Sequence, residues 1–234
     1  WFDCDVFPFT ASKAVPPVGS EVKDVRMVQY GANRDLLRDY ARQARETGFC
    51  GLFCQISDPV DHLARSVFLN SNRTDDGTLD FHGLLPEQIQ GYGLGVMEAR
   101  AKFYARKRGL DEDRVAVFGP HGQSLIVAND VGDGYDHELS CALTKDTVTA
   151  NLAVRELGFK PYIAPGLSSA AISILRTVTG QWHPGALPLD GAYLGCYSRL
   201  TKKGPQLLRR PLHPTLYSRI EAVHKALREF DYDG

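Results

Sequence analysis

A chain of 234 residues is long enough for one large domain or two small ones around a substantial core. Hydrophobic residues make up 43% and charged residues 24%, and the formal net charge of -1 gives no basic surface for nucleic acid or an anionic membrane. No apolar run approaches the roughly 18 residues that a membrane span needs. The five cysteines (Cys4, Cys50, Cys54, Cys141 and Cys196) are scattered, and the spacing of Cys50 and Cys54 does not suit a metal knuckle. Buried free thiols in a reducing cytoplasm, and no metal site, are expected.

The sequence opens at Trp1 within what reads as a strand, which suggests that part of the domain lies upstream. Asp5 to Phe9 is short and apolar, as in a buried parallel strand. Thr10 to Gly19, with Pro16-Pro17-Val18-Gly19, reads as a long mobile loop. Val22 to Thr47 carries a helical stripe at Val28, Leu36, Leu37, Tyr40, Ala41 and Ala44, and Gly48 stops it. Cys50 to Ile56 is a continuous apolar strand broken by Asp58-Pro59, and Val60 to Leu69 is a second helix. Strand, crossover helix, strand, helix is the pattern of a doubly wound α/β sheet, whose ligands sit at the carboxyl ends of the strands. Asp58 and the loop from Thr10 fall at such ends.

Gly91-Tyr92-Gly93-Leu94-Gly95 precedes a helix from Val96 to Arg108, closed by Gly109. The run lacks the spacing of a dinucleotide fingerprint and the strand before it is weak, so glycines loosening a helix entry are the expected explanation. Two apolar strands then flank Gly119-Pro120-His121-Gly122. Helices follow over Lys145 to Leu157 and Ser168 to Val178, and after them the segments at Gly185 to Leu189, Ala192 to Cys196 and Gln206 to Leu208 suggest an antiparallel sheet. Pro214 to Phe230 is an amphipathic closing helix, with Leu216, Ile220, Val223, Leu227 and Phe230 on one face.

The chemistry concentrates at three places. His121, between two glycines, suits a general acid/base, because an imidazole titrates near neutrality, although a His in a turn can equally be a surface residue. Asp58 can act at the site or cap the following helix, and Asp61 reads as a first-turn acid favoured by the helix dipole. Arg100 can hold a carboxylate through a guanidinium fork or simply be solvated.

The succession Ile56-Ser57-Asp58-Pro59-Val60-Asp61, Met97-Glu98-Ala99-Arg100 and Gly119-Pro120-His121-Gly122 resembles the lactate/malate dehydrogenase family. Gly166-Leu167-Ser168-Ser169-Ala170 is similar to the family's substrate-pocket helix start. The resemblance implies a partial Rossmann-type parallel sheet over 1–90 and a substrate/catalytic domain with antiparallel strands and a long terminal helix over 91–234. It implies hydride transfer between NAD or NADP and a 2-hydroxy/2-oxo acid, in a cytoplasmic homodimer or homotetramer. His121 would move the proton, and Arg100 would bind the substrate carboxylate. Lys13, Lys23 or Arg26 would polarise the carbonyl, and Ser168 would line the pocket. Thr10, Ala11, Ser57 and Asp58 would meet the cofactor.

Three departures accompany the resemblance. Met97 stands where the family has the Asp that orients the histidine, and Glu98, one residue on, is rotated about 100° away. Asp58 stands in place of the family's Asn, so the acid lost at 97 is expected to have been regained at 58. The glycine-rich pyrophosphate loop is not found in these residues. An alternative expectation is a family member that no longer catalyses and is kept as a binding or structural protein.

Overall fold

The computed structural model describes residues 2–13, 27–156, 158 and 168–233. Apolar strands and one-sided helices generate the first half. Strand β1 (Val6–Phe9) pairs in parallel with β2 (Leu52–Gln55), and β2 pairs in parallel with β3 (Ile89–Gly91). Helix α1 (Tyr30–Glu46) buries Leu37, Ala41 and Ala44 at helical spacing, and α2 (Val60–Ser71) buries Leu63, Ala64 and Val67. These residues join Phe9 and Phe53 in one core.

The sheet continues past β3. Strand β6 (His183–Leu189) runs antiparallel to β3 through the pair Gly91 and Ala186, followed by β7 (Ala192–Thr201) and β8 (Gly204–Leu207). The six strands lie in the order β1-β2-β3-β6-β7-β8. Asp190 (φ 40°) and Gly191 (φ 83°) form the two-residue turn between β6 and β7, where positive φ matches the twist of the hairpin. A separate pair, β4 (Ala116–Phe118) and β5 (Ile126–Ala128), is antiparallel and carries the His121 turn. Helices α3 (Leu94–Lys107), α4 (His137–Glu156) and α5 (Ala170–Val178) surround these strands, and α6 (Pro214–Arg228) closes the chain. Among the described residues no helix is long and apolar enough to cross a membrane, and no group of three or more His, Cys, Asp or Glu could hold a metal.

The α/β class, with parallel strands followed by antiparallel ones and a terminal helix, is as the sequence indicates. Several details differ. The first helix begins at Tyr30 after a single 3-10 turn (Met27–Gln29), and residues 22–26 lie outside the described residues. Helix α4 begins at His137 rather than Lys145, because Asp136 Oδ1 accepts the Leu139 N–H at 2.8 Å and caps the start. The strand before the glycine run is short but central, between β2 and β6. The thiols are not uniformly buried: Cys54 is, whereas Cys4, Cys50 and Cys141 are exposed and Cys196 is half-buried. Only Cys54 lies inside a strand whose residues are all buried.

Candidate active site

The turn Gly119 to Leu125 is fixed from three directions. Gly119 has φ +83° and donates its N–H to the Gly195 carbonyl of β7 at 2.9 Å, and Leu125 N–H closes the loop onto the Gly122 carbonyl at 3.2 Å. The third contact is the His121 N–H, which donates to Asp61 Oδ2 at 2.9 Å. Asp61 is therefore more than a first-turn acid at a helix start. It is 2% exposed and ties the head of α2 to the His121 turn. Burial pushes its carboxyl up to about 7, opposed by the backbone N–H groups of His121 and Gly195 and reinforced by the nearby Asp58 charge.

Asp58 does not cap α2. The N-cap position is Pro59, and no side-chain cap bond forms there. The Asp58 carboxylate instead faces the imidazole: Oδ1 lies 3.7 Å from His121 Nδ1, with the two side chains 27% and 14% exposed. A carboxylate at that distance stabilises an imidazolium and restrains the ring. A second restraint is Gly93, the N-cap of α3, where an added Cβ would fall on the Nδ1 edge of the imidazole. Gly91 similarly leaves room for Val60 and Ala186, where a Cβ would sit 2.7 and 2.8 Å from their side-chain carbons. The glycine run thus serves close approach of β3 and α3 to their neighbours rather than a loose helix entry.

Met97 is fully buried and its Sδ sits 3.8 Å from the Arg100 guanidinium. Glu98 points away from the histidine, accepting the Tyr197 hydroxyl at 2.8 Å and pairing with Lys102 at 3.8 Å. Arg100 is half-buried, seven residues beyond Gly93 and hence about 10 Å along the helix axis.

A second knot lies at the carboxyl ends of β1 and β2. Ser57 is buried and its hydroxyl donates to the Ala11 carbonyl at 2.6 Å. Asn33, fully buried on α1, donates through Nδ2 to the Asp58 carbonyl at 2.7 Å and accepts the Lys13 N–H at 2.6 Å. Asn33 thereby holds the loop after β1 against the Asp58-Pro59 segment. The Lys13 side chain is exposed, as are Thr10 and Ser168, the last at the head of α5. Lys23 and Arg26, and the Gly166-Leu167 part of the pocket-helix motif, lie outside the described residues. Of the sequence-derived site residues, the fold brings His121 and Asp58 together, and Ser57 with Ala11. Asp61, Gly93, Gly195 and Asn33 join them without having been assigned to the site from the sequence. Asp61 stood beside Asp58, and its apolar helix-start context is the one signal that could have marked it as buried.

These features define an α/β fold in which a turn histidine, paired with a carboxylate, stands beside the carboxyl ends of parallel strands. No family model matches the sequence. The L-lactate dehydrogenase of Mesomycoplasma hyopneumoniae (strain 232) is 26% identical over 129 residues, 54% of this chain and 36% of that protein. The matched part thus spans little more than a third of the curated relative. The malate dehydrogenase of Archaeoglobus fulgidus in complex with NADH superposes with a TM-score of 0.74 at 20% identity, over 97% of this chain and 74% of the other. The malate dehydrogenase of Aeropyrum pernix gives 0.74 at 16% identity, over 97% and 75%. The minor L-lactate dehydrogenase of Enterococcus mundtii gives 0.69 at 18% identity, over 98% and 78%. The chain is therefore similar in sequence to a lactate dehydrogenase over about half its length, and it shares the fold of malate and lactate dehydrogenases over nearly all of it.

Proposed function

We propose that the chain supplies the substrate-binding and proton-transfer machinery of an NAD(P)-dependent 2-hydroxyacid dehydrogenase. The observation that carries this reading is the approach of the Asp58 carboxylate to His121 Nδ1 at 3.7 Å. A bound nicotinamide would supply the two-electron hydride acceptor, and in the oxidative direction His121 takes the proton of the substrate hydroxyl. In the reductive direction His121 returns the proton to the carbonyl oxygen. Asp58 balances the charge that His121 gains, the task the family gives to an Asp at the position of Met97. Arg100 binds the substrate carboxylate through two parallel N–H···O bonds. Lys13 or Arg26 adds positive charge near the carbonyl, and Ser168 borders the substrate.

The residues present suit one end of the cofactor. The carboxyl ends of β1 and β2 meet at Ser57 and Ala11, and crevices at such strand ends receive nucleotides in α/β sheets. Thr10, Ala11, Ser57 and Asp58 are the residues that would border it. We further propose a division near residue 90 between nucleotide-binding and catalytic parts, and a cytoplasmic homodimer or homotetramer. Support for association comes from Ile172, Leu175 and Val178, which are 58%, 61% and 51% exposed on α5.

The test is NADH and NADPH oxidation by the purified natural polypeptide with 2-oxo acids. Turnover is expected, with loss in His121→Asn and a fall of about 100-fold or more in kcat in Asp58→Asn. Full activity in Asp58→Asn would end the proposed exchange of acids. A second reading, a binding protein without catalysis, is favoured by the buried thioether of Met97 at the family's acid position. Binding of cofactor and acid without turnover would establish it.

A further inference from the structure

We propose that the apolar cavity beside the His121 turn receives the side chain of the 2-oxo acid, and that this side chain is bulky and uncharged. The inference rests on the dehydrogenase reading given above and names its substrate class.

The cavity has a volume of about 210 Å³ and is bordered by His121 itself, so a group seated in it is next to the proton-transfer residue. Its apolar lining includes Met27, Pro59, Val223, Leu227 and Phe230. A dry cavity of about 150 Å³ accepts a benzene ring. The space is therefore enough for a branched aliphatic or a phenyl group.

Charge disfavours a dicarboxylate. Among the described residues that line the cavity none is a lysine or arginine, and the one carboxylic acid is Asp61. A second substrate carboxylate would lose its water there without gaining a cationic partner among those lining residues, and within the field of Asp58. An apolar group loses nothing by the same transfer and gains the burial of its surface. The lining also carries the polar residues His62, Gln123 and Ser124.

The experiment is a steady-state comparison of pyruvate, oxaloacetate, 4-methyl-2-oxopentanoate and phenylpyruvate with the purified natural polypeptide and reduced cofactor. We expect kcat/KM for the two bulky acids to exceed that for pyruvate by about 10- to 200-fold, with oxaloacetate the poorest. Ala226, exposed on α6, also lines the cavity, and Ala226→Trp would fill it from the mouth. That variant is expected to bring the phenylpyruvate-to-pyruvate ratio close to one. Turnover with equal kcat/KM for pyruvate and the bulky acids, or a preference for oxaloacetate, would overturn the inference and leave the dehydrogenase reading standing. An unchanged ratio in Ala226→Trp would place the side chain elsewhere. Turnover of none of the four would overturn both.

Discussion

Asp61 holds the His121 backbone from 60 positions upstream, and it does so as an almost wholly buried carboxyl. Its proton is retained to about pH 7, against an ordinary value of 3.8, because burial disfavours the anion more than three backbone amides, those of His121, Asp61 and Gly195, favour it. The consequence for stability follows from linkage. Below the ordinary value both folded and unfolded chains are protonated at this residue and it contributes nothing. Between about pH 4 and 7 the folded chain keeps a proton that the unfolded chain has released, so stability falls as pH rises, and above about 7 the loss is complete. The surface pair Arg45–Asp80 has the opposite sign. Its hydrogen bonds hold the Asp80 carboxyl below the usual range, so its contribution is present above the ordinary value and is lost as pH falls. Subtracting one variant from the parent isolates the buried acid. Urea midpoints of Asp61→Asn and the parent should diverge steadily from pH 4 to 7, with the parent losing ground, and stay parallel above that. Parallel profiles throughout would mean that the carboxyl ionises in the folded state like an exposed one.

At the scale of elements, the start of α3 sets the pose of the histidine. Gly93 leaves a space that the imidazole occupies, and the Nδ1 edge of the ring that meets this backbone also faces the Asp58 carboxylate. Gly93→Ala should push the ring aside and lower kcat/KM by about 100-fold, the scale of loss that a displacement near 1 Å brings. Retention of full turnover would show that Asp58 alone orients the ring. This contact also marks the limit of what the sequence reveals. The turn His121, the dipeptide Asp58-Pro59 and the helical Arg100 are legible because each is announced by its immediate neighbours: glycines, a proline after an apolar strand, a helical period. The helix and strand succession is legible for the same reason. Gly93, Gly195, Asn33 and Asp61 take their meaning from partners 28, 76, 25 and 60 positions away, and local pattern says nothing of such partners. The same blindness explains the glycine run, which has the look of a loose helix entry until β3 is seen wedged between β2 and β6.

At the scale of the whole described fold, residues 214–233 pack back onto the first half of the chain. Helix α6 reaches back across the His121 turn, and beyond it Phe230 stacks edge-on against Tyr30 and His62 with centroids 5.0 and 4.7 Å apart. The Tyr30 hydroxyl donates to the Tyr232 carbonyl at 3.2 Å, and Arg73 pairs with Asp233 at 2.5 Å. The end of the chain is therefore bonded to α1 and to the loop after α2, and the cavity wall at Val223, Leu227 and Phe230 exists only while those contacts hold. Ring closure over some two hundred residues makes this a non-local assembly, cheap to lose locally and costly to form early. Truncating the half-buried Phe230 removes an aromatic anchor shared by α1 and α2 but leaves Leu216 and Leu227 buried on the inner face of α6. Phe230→Ala should cost about 1–3 kcal/mol, below the range for a fully buried phenylalanine. The same change should widen the cavity and raise KM for a bulky 2-oxo acid more than for pyruvate. A stability loss under about 0.5 kcal/mol, within the range of ordinary surface changes, would mean that Leu216 and Leu227 seat the helix unaided. The aromatic contacts to α1 and α2 would then be a consequence of that seating rather than its cause.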